Sequence, residues 1–361
     1  MTNKQLEQLT TLYKIFSPSK REQAMEAYIK TTLDALNIKY KQDVTGNIYN
    51  FVPNAPLLSA HMDQVQRGAC TLVENILLQT KEGNEPALVG YNHKGDLSGL
   101  GADDKNGIFV ILQTLEALQT YTDQFGFIFS VQEEIGGGTQ ALFERNSHIL
   151  ETIPYALVLD RKGAGDIIGA ANSYCCKDME KALTAISDKY HHGYSPCSGV
   201  FSDADDLSSY TPCVNLSVGY YRAHSNEEYT IIRDLDNALK FVHNILKDLP
   251  ARTTKRFELA EKYQYPWGID DNGYGYEFSG FDYDDYESPE HIKIEEGVMY
   301  LVSEYGDYEE YLGAVPKATD EGFTVLDYGG EEFMVYWEDG ELVAWWLDGK
   351  GHPYEELPVL D

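Results

Sequence analysis

Between Gly46 and Leu249, short apolar and β-branched runs alternate with segments whose apolar residues recur at helical spacing. That alternation limits the fold more than any other feature of the chain. GNIYNFV (46–52), PLLSAH (56–61), FGFIFSVQ (125–132), YALVLD (155–160) and CVNLSVG (213–219) read as strands. YALVLD is apolar almost throughout, as a strand covered on both faces must be. DKNGIFVILQTLEALQTY carries Ile108, Ile111, Leu112, Leu115 and Leu118 at helical intervals, and GGGTQALFERN and RDLDNALKFVHNILKDL read as further helices. Ser19 and Glu22 stand three apart, a capping-box spacing that opens a helix running to Leu36. Strands alternating with helices predict an α/β three-layer sandwich around a mixed, mostly parallel central sheet.

Charge marks where this pattern stops. From Lys255 to Asp361 there are 28 acids against 6 bases, a net of −22, which leaves −9 of the total −31 for residues 1–254. All four tryptophans and 13 of the 27 tyrosines also lie beyond 254. The runs HIKIEEGVMYLVS, GFTVLDY, EEFMVYW and ELVAWWLD are separated by turn signals such as EDG and DGKG. The expected division is a domain over 1–254 and a small, acidic, aromatic-rich, mostly-β domain over 255–361. The stretch 265–290 between them reads as a linker or an aromatic-packed loop.

The strong negative charge argues against nucleic-acid binding, which needs basic patches. No run reaches the roughly eighteen apolar residues of a membrane span. The N-terminal MTNKQLEQLTTLYKIF lacks the apolar core of a secretory signal, so a cytoplasmic protein is the expectation. The odd count of five cysteines (Cys70, Cys175, Cys176, Cys197, Cys213) fits reduced thiols.

Five junctions at predicted strand ends carry metal-ligand residue types. SAHMDQV places His61 and Asp63 on one side of an extended segment. LGADDKNG places Asp103 and Asp104 at a helix start, where unpaired N–H groups favour carboxylates. SVQEEIGGG ends a strand on Glu133 and Glu134, and ALVLDRKG ends another on Asp160, at the carboxyl edge where α/β sites form. His224 follows the last strand in GYYRAHSNEE. Singly, each has an ordinary structural explanation; together they suit two divalent ions. One ion would take His61, Asp103 and Asp160, and the other Asp103, Glu134 and His224. Two imidazoles with several carboxylates suit zinc, with cobalt or manganese as alternatives. Glu133 is then placed to accept a proton from an attacking water.

Taken in order, HMD, GADDK, QEE, LD and a late histidine resemble the co-catalytic dizinc exopeptidase superfamily of zinc aminopeptidases, tripeptidases, carboxypeptidase G type enzymes and deacylases. LGADDKNGI is most similar to the peptidase T version. The resemblance implies that Asp63 orients the His61 side, that Asp103 bridges the metals across a cis Asp103–Asp104 peptide, and that Glu133 is the base. The span of 64 positions from Asp160 to His224 leaves no room for a tripeptidase-type lid domain. The 42 positions from His61 to Asp103 are too few for the domain that tetrahedral aminopeptidases insert there, so the layout is more similar to the single-domain zinc aminopeptidases. In those relatives a loop tyrosine stabilises the oxyanion, which points to Tyr194, with Tyr174 second. Arg222 is a candidate to grip a substrate carboxylate or to form a surface ion pair, and Asp203 to recognise a free amino group.

The function expected from this reading is a metal-dependent aminopeptidase acting on small peptides. An N-acyl amino acid deacylase using the same site is one alternative. The other is a metal-binding interaction protein whose acidic C-terminal domain captures a partner.

Overall fold

A computed structural model of the chain describes residues 1–66, 68–80, 83–118, 124–199, 202–251 and 254–260, and beyond 290 the backbone of the strands named below. Contacts divide the chain into two compact units, Met1–Tyr263 and Gln264–Asp361, against a boundary of 254/255 read from charge.

The first unit opens with α1 (Asn3–Lys14) and α2 (Gln23–Ala35), followed by β1 (Lys41–Gln42), β2 (Ile48–Asn50), β3 (Leu57–His61), β4 (Leu72–Thr80) and β5 (Gly83–Tyr91). Next come α3 (Ala102–Ala117), β6 (Gly126–Ser130), α4 (Gln140–Leu150), β7 (Ala156–Arg161), β8 (Asp166–Ile168), α5 (Lys177–Tyr190), β9 (Ser195–Cys197) and α6 (Asp203–Leu207). The unit closes with β10 (Cys213–Ser217), β11 (Tyr220–Tyr221), β12 (Tyr229–Ile231) and α7 (Ile232–Asp248).

The main sheet has the order β1-β2-β6-β3-β7-β10-β8-β9. Its centre is parallel: β3 pairs with both β6 and β7, and β7 with β10, in parallel register. The antiparallel pairs β1–β2, β2–β6 and β8–β10 lie towards the edges. The period-two alternation of the central strands sends their side chains to two separate cores. Leu58, Ala60, Phe127, Phe129, Leu157, Leu159, Val214 and Leu216 pack with residues of α1, α2, α3, α5 and α7. Leu57, Ile128, Ala156, Val158 and Cys213 pack with Leu142, Phe143 and Leu150 of α4 and with Ala204 and Leu207 of α6. This is the three-layer sandwich that the sequence predicts.

α3 is buried nearly all round, as its almost continuous apolar run requires. Gly107 lets it lie close on β7: a Cβ there would come within 2.3 Å of Leu159 O and 2.5 Å of both Asp104 carboxylate oxygens. Phe129 is fully buried in β6, so Phe129→Ala is expected to cost about 3–5 kcal/mol, read as a lower denaturant midpoint. A loss below about 1 kcal/mol would contradict this packing.

One local reading changes. Capping boxes lie at Thr2 and Gln5, opening α1, and at Ser202 and Asp205, opening α6, and not at Ser19 and Glu22. Helix α2 has no side-chain cap at Glu22. The span between His61 and Asp103 carries the β4–β5 hairpin, which joins β11 and β12 in a second antiparallel sheet of order β11-β12-β5-β4. All five cysteines are free thiols. Among the described residues no helix is long and apolar enough to cross a membrane.

In the second unit, β13 (His291–Glu295), β14 (Val298–Val302) and β15 (Glu309–Ala314) form an antiparallel run. β16 (Thr324–Tyr328), β17 (Glu331–Glu338), β18 (Glu341–Leu347) and β19 (Pro353–Leu357) form an antiparallel meander. β20 (Val359–Leu360) pairs parallel with β13. The stretch 265–290, read as a linker or loop, and the tryptophan side chains lie outside the described residues.

Candidate metal centre

The candidate ligands converge at the carboxyl ends of β3, β6 and β7, joined by the start of α3 and the loop between β11 and β12. Asp103 sits between the two histidines. Its Oδ1 lies 3.0 Å from His61 Nε2 and its Oδ2 3.3 Å from His224 Nε2. Asp160 Oδ1 is 3.5 Å from His61 Nε2, and Glu134 Oε2 is 3.0 Å from His224 Nε2. His61, Asp103 and Asp160 form one group whose ligand atoms lie within 4.8 Å of one another, and Asp103, Glu134 and His224 form a second. The two groups share only Asp103, each facing a different oxygen of its carboxylate. Glu133 stands beside them, its Oε2 3.8 Å from His61 Nε2.

The surroundings fix these groups. His61 Nδ1 lies 3.1 Å from Asp63 O and 3.4 Å from Asp63 Oδ1. A proton held there leaves the Nε2 lone pair facing the carboxylates. The Asp63 carboxylate also accepts the backbone N–H of Glu133 (3.0 Å) and of Glu134 (3.2 Å), tying the Glu–Glu turn to the histidine strand. Asp104 points inward, accepting His61 N–H at 3.2 Å and Gly107 N–H at 2.9 Å. The Asp103–Asp104 peptide is cis. His224 has a left-handed backbone (φ 63°) on a loop, and its side chain is 54 % exposed, so the cluster opens on that side.

The donor set fits divalent cations on two grounds. Glu134 Oε1 is buried without a hydrogen-bond partner, an orphaned ligand atom beside a second histidine. Several of the carboxylates are also packed too closely to ionise freely, whereas the two histidines hold Asp103 below the usual carboxylate range. Burial, with Asp160, Asp203 and Glu134 nearby, pushes Glu133 up to about 9 despite the opposing effect of His61. Burial and Asp103 push Asp160 up to about 7. Positive charge held among these groups removes that cost.

Tyr194 does not face this cluster. It is buried, its hydroxyl donates to Ser217 O at 2.6 Å, and its ring stacks on Phe241 with centroids 4.3 Å apart. Held there, the hydroxyl is not placed to stabilise an oxyanion at the cluster. Tyr174 fares no better, since its hydroxyl donates to Asp205 Oδ2 at 2.7 Å on the opposite core. Arg222 forms an ion pair with Glu227. Asp203 is buried and accepts the Ser130 hydroxyl, with Thr139 Oγ1 at 3.5 Å, so its carboxylate is turned to the interior.

Several contributors escaped the sequence reading. Ser19 donates to Asp63 Oδ2 at 2.6 Å, and Glu22 accepts Gln132 N–H at 3.2 Å. The pair read as a helix cap thus supports the site. Tyr220 donates to Asp160 O at 3.1 Å with its Oδ1 at 3.3 Å, and Asn215 Oδ1 accepts Asp160 N–H at 3.1 Å. The only hint of Tyr220 was its position four residues before His224.

Residues 87–241 match the family model for the M42 glutamyl aminopeptidases. No curated protein sequence matches the chain. Among solved structures, the chain is similar to the TET1 peptidase of Pyrococcus horikoshii, at 17% identity and a TM-score of 0.51 over 71% of this chain and 100% of that one. It is similar to an aminopeptidase of Desulfurococcus kamchatkensis (17%, TM-score 0.51, 68% of this chain and 95% of that one). It is likewise similar to aminopeptidase PepT of Bacillus cereus (16%, TM-score 0.51, 68% and 97%). At these identities the structures establish a shared fold. The family match spans 155 of the 361 residues and adds a likeness to aminopeptidases over that stretch.

Proposed function

We propose that the chain is an aminopeptidase that removes residues from the N-termini of small peptides. The observation that carries this reading is the meeting of two ligand groups at Asp103, with Glu133 beside them. In this reading His61, Asp103 and Asp160 hold one divalent ion and Asp103, Glu134 and His224 the other, both zinc by the chemistry of the donors. When bound, such a pair polarises the scissile carbonyl and makes water acidic enough to attack near neutral pH.

The chain's own residues do the rest. Glu133 takes a proton from the attacking water and delivers it to the amine nitrogen that leaves. Asp63 keeps His61 and the Glu133–Glu134 turn in mutual register. The acidic character of the cluster favours a substrate's N-terminal ammonium over its C-terminal carboxylate. The family match to aminopeptidases supports the same direction of attack.

The test compares di- and tripeptides having free N-termini with their N-acetylated counterparts and with N-acyl amino acids. Release of the first residue from the free peptides alone is expected. Preferential cleavage of the N-acyl compounds would replace the aminopeptidase reading with a deacylase.

A further inference from the structure

Beneath Asp103, on the side away from the cluster's opening, lies a chain of buried polar side chains that the proposed mechanism does not use. Lys105 and Glu228 are each only 1% exposed, and Gln64 and Gln66 are buried between them. Lys105 Nζ donates to Gln64 Oε1 at 2.5 Å and to Leu100 O at 3.0 Å. Gln64 Nε2 donates to Gln66 Oε1 at 3.1 Å, and Gln66 Nε2 donates to Glu228 Oε2 at 3.1 Å. The Glu228 carboxylate then accepts two backbone N–H groups, Gly101 at 2.6 Å and Asp103 at 3.1 Å. An ammonium and a carboxylate are thus joined through two amides, each passing a hydrogen bond in the same sense.

This chain joins three ligand-bearing loops. Gln64 and Gln66 follow His61 out of β3. Gly101 and Lys105 flank Asp103. Glu228 closes the turn that begins at Ser225, the residue after His224, with its N–H 3.5 Å from Ser225 O. The loops are packed as closely as backbone allows. A Cβ on Gly99 would lie 2.6 Å from Ser225 O and 2.5 Å from Gln66 Cγ. One on Gly101, which has a left-handed φ of 61°, would lie 2.7 Å from Lys105 Nζ and 2.9 Å from Gln64 Oε1.

We propose that Glu228 is a positioning residue, tied to Lys105 through Gln64 and Gln66, that fixes the Asp103 backbone so that each carboxylate oxygen faces its own histidine. The proposal rests on the metal-site reading given above. A carboxylate that receives two backbone N–H groups and an amide donor, with a buried counter-charge at the far end, is well suited to hold a turn in one orientation. Its two jobs are separable. The link from Lys105 to Glu228 concerns folding stability. The carboxylate's grip on the Asp103 N–H concerns the metal.

Cobalt(II) serves as the probe, through its visible absorption and its affinity for the chelated full-length chain. Glu228→Gln replaces one acceptor oxygen by a donor facing backbone N–H groups. It is expected to weaken cobalt binding by roughly 10- to 100-fold and to alter the cobalt spectrum. Glu228→Gln and Lys105→Met should each lower Tm, because either leaves a buried polar group of the chain without its partner, and the double variant should recover part of that loss. Cobalt affinity should stay low in the double variant although its Tm recovers. A purely structural role would make affinity recover along with Tm, and that result overturns the proposal. So does unchanged cobalt affinity and spectrum in Glu228→Gln. If Glu228→Gln does not fold, Gln66→Met interrupts the chain while keeping the carboxylate, and several-fold weaker cobalt binding is expected; wild-type affinity in it would overturn the proposal equally. A wild-type chain that takes up no cobalt removes the metal-site reading itself, and is distinguishable from all of these.

Discussion

Glu133→Gln is expected to lower kcat by about 10²- to 10⁴-fold, with bound metal and KM close to wild type. The side chain stands beside both ligand groups without belonging to either, its Oε2 3.8 Å from His61 Nε2. The amide keeps the shape and loses the capacity to take and return a proton. Loss of kcat with normal metal content separates a proton-transfer role from a ligand role, and metal analysis beside steady-state kinetics reads both. Retained kcat would remove Glu133 as the base. Loss of metal in this variant would place it among the ligands instead.

Asp103→Asn is expected to have the opposite signature, emptying both metal positions and taking activity with them. The two oxygens of Asp103 face different histidines, at 3.0 Å and 3.3 Å. An amide offers one oxygen and one N–H₂ group, and the latter cannot ligate a cation. Loss of one oxygen leaves one group two of its three protein ligands, and the other exchanges an anionic oxygen for a neutral amide oxygen. Metal content measured after dialysis checks this, and full occupancy in Asp103→Asn would refute the shared role. The contrast between the two variants matters more than either alone, since general damage to the fold would lower metal content and kcat in both.

The central sheet was legible because its strands are buried on both faces and must be apolar throughout, as YALVLD is. The ligand set was legible for a related reason. Polar residues that end such strands are conspicuous, and in an α/β sheet those ends share one edge. Helix α1 was harder to see because only Leu9, Leu12 and Tyr13 of its twelve residues are buried. Ser19 and Glu22 satisfy the local rule for a cap, yet their partners, Asp63 and Gln132, lie far along the chain. Tyr194 was chosen by its place in a loop, and place in a loop does not say which way a ring turns. Phe241 and Ser217 O capture it in the core. The Lys105–Glu228 chain could not be read at all, because its links join loops up to 162 positions apart. Contacts of that kind become visible only when the fold brings the loops together.

The measurement that tests the account most directly is titration of the chelated protein with zinc, following bound metal and release of the N-terminal residue from a small peptide together. Activity that rises with bound zinc and levels off at about two ions per chain is the predicted result. Peptide cleavage that survives complete chelation, or a chain that binds no zinc, would contradict it.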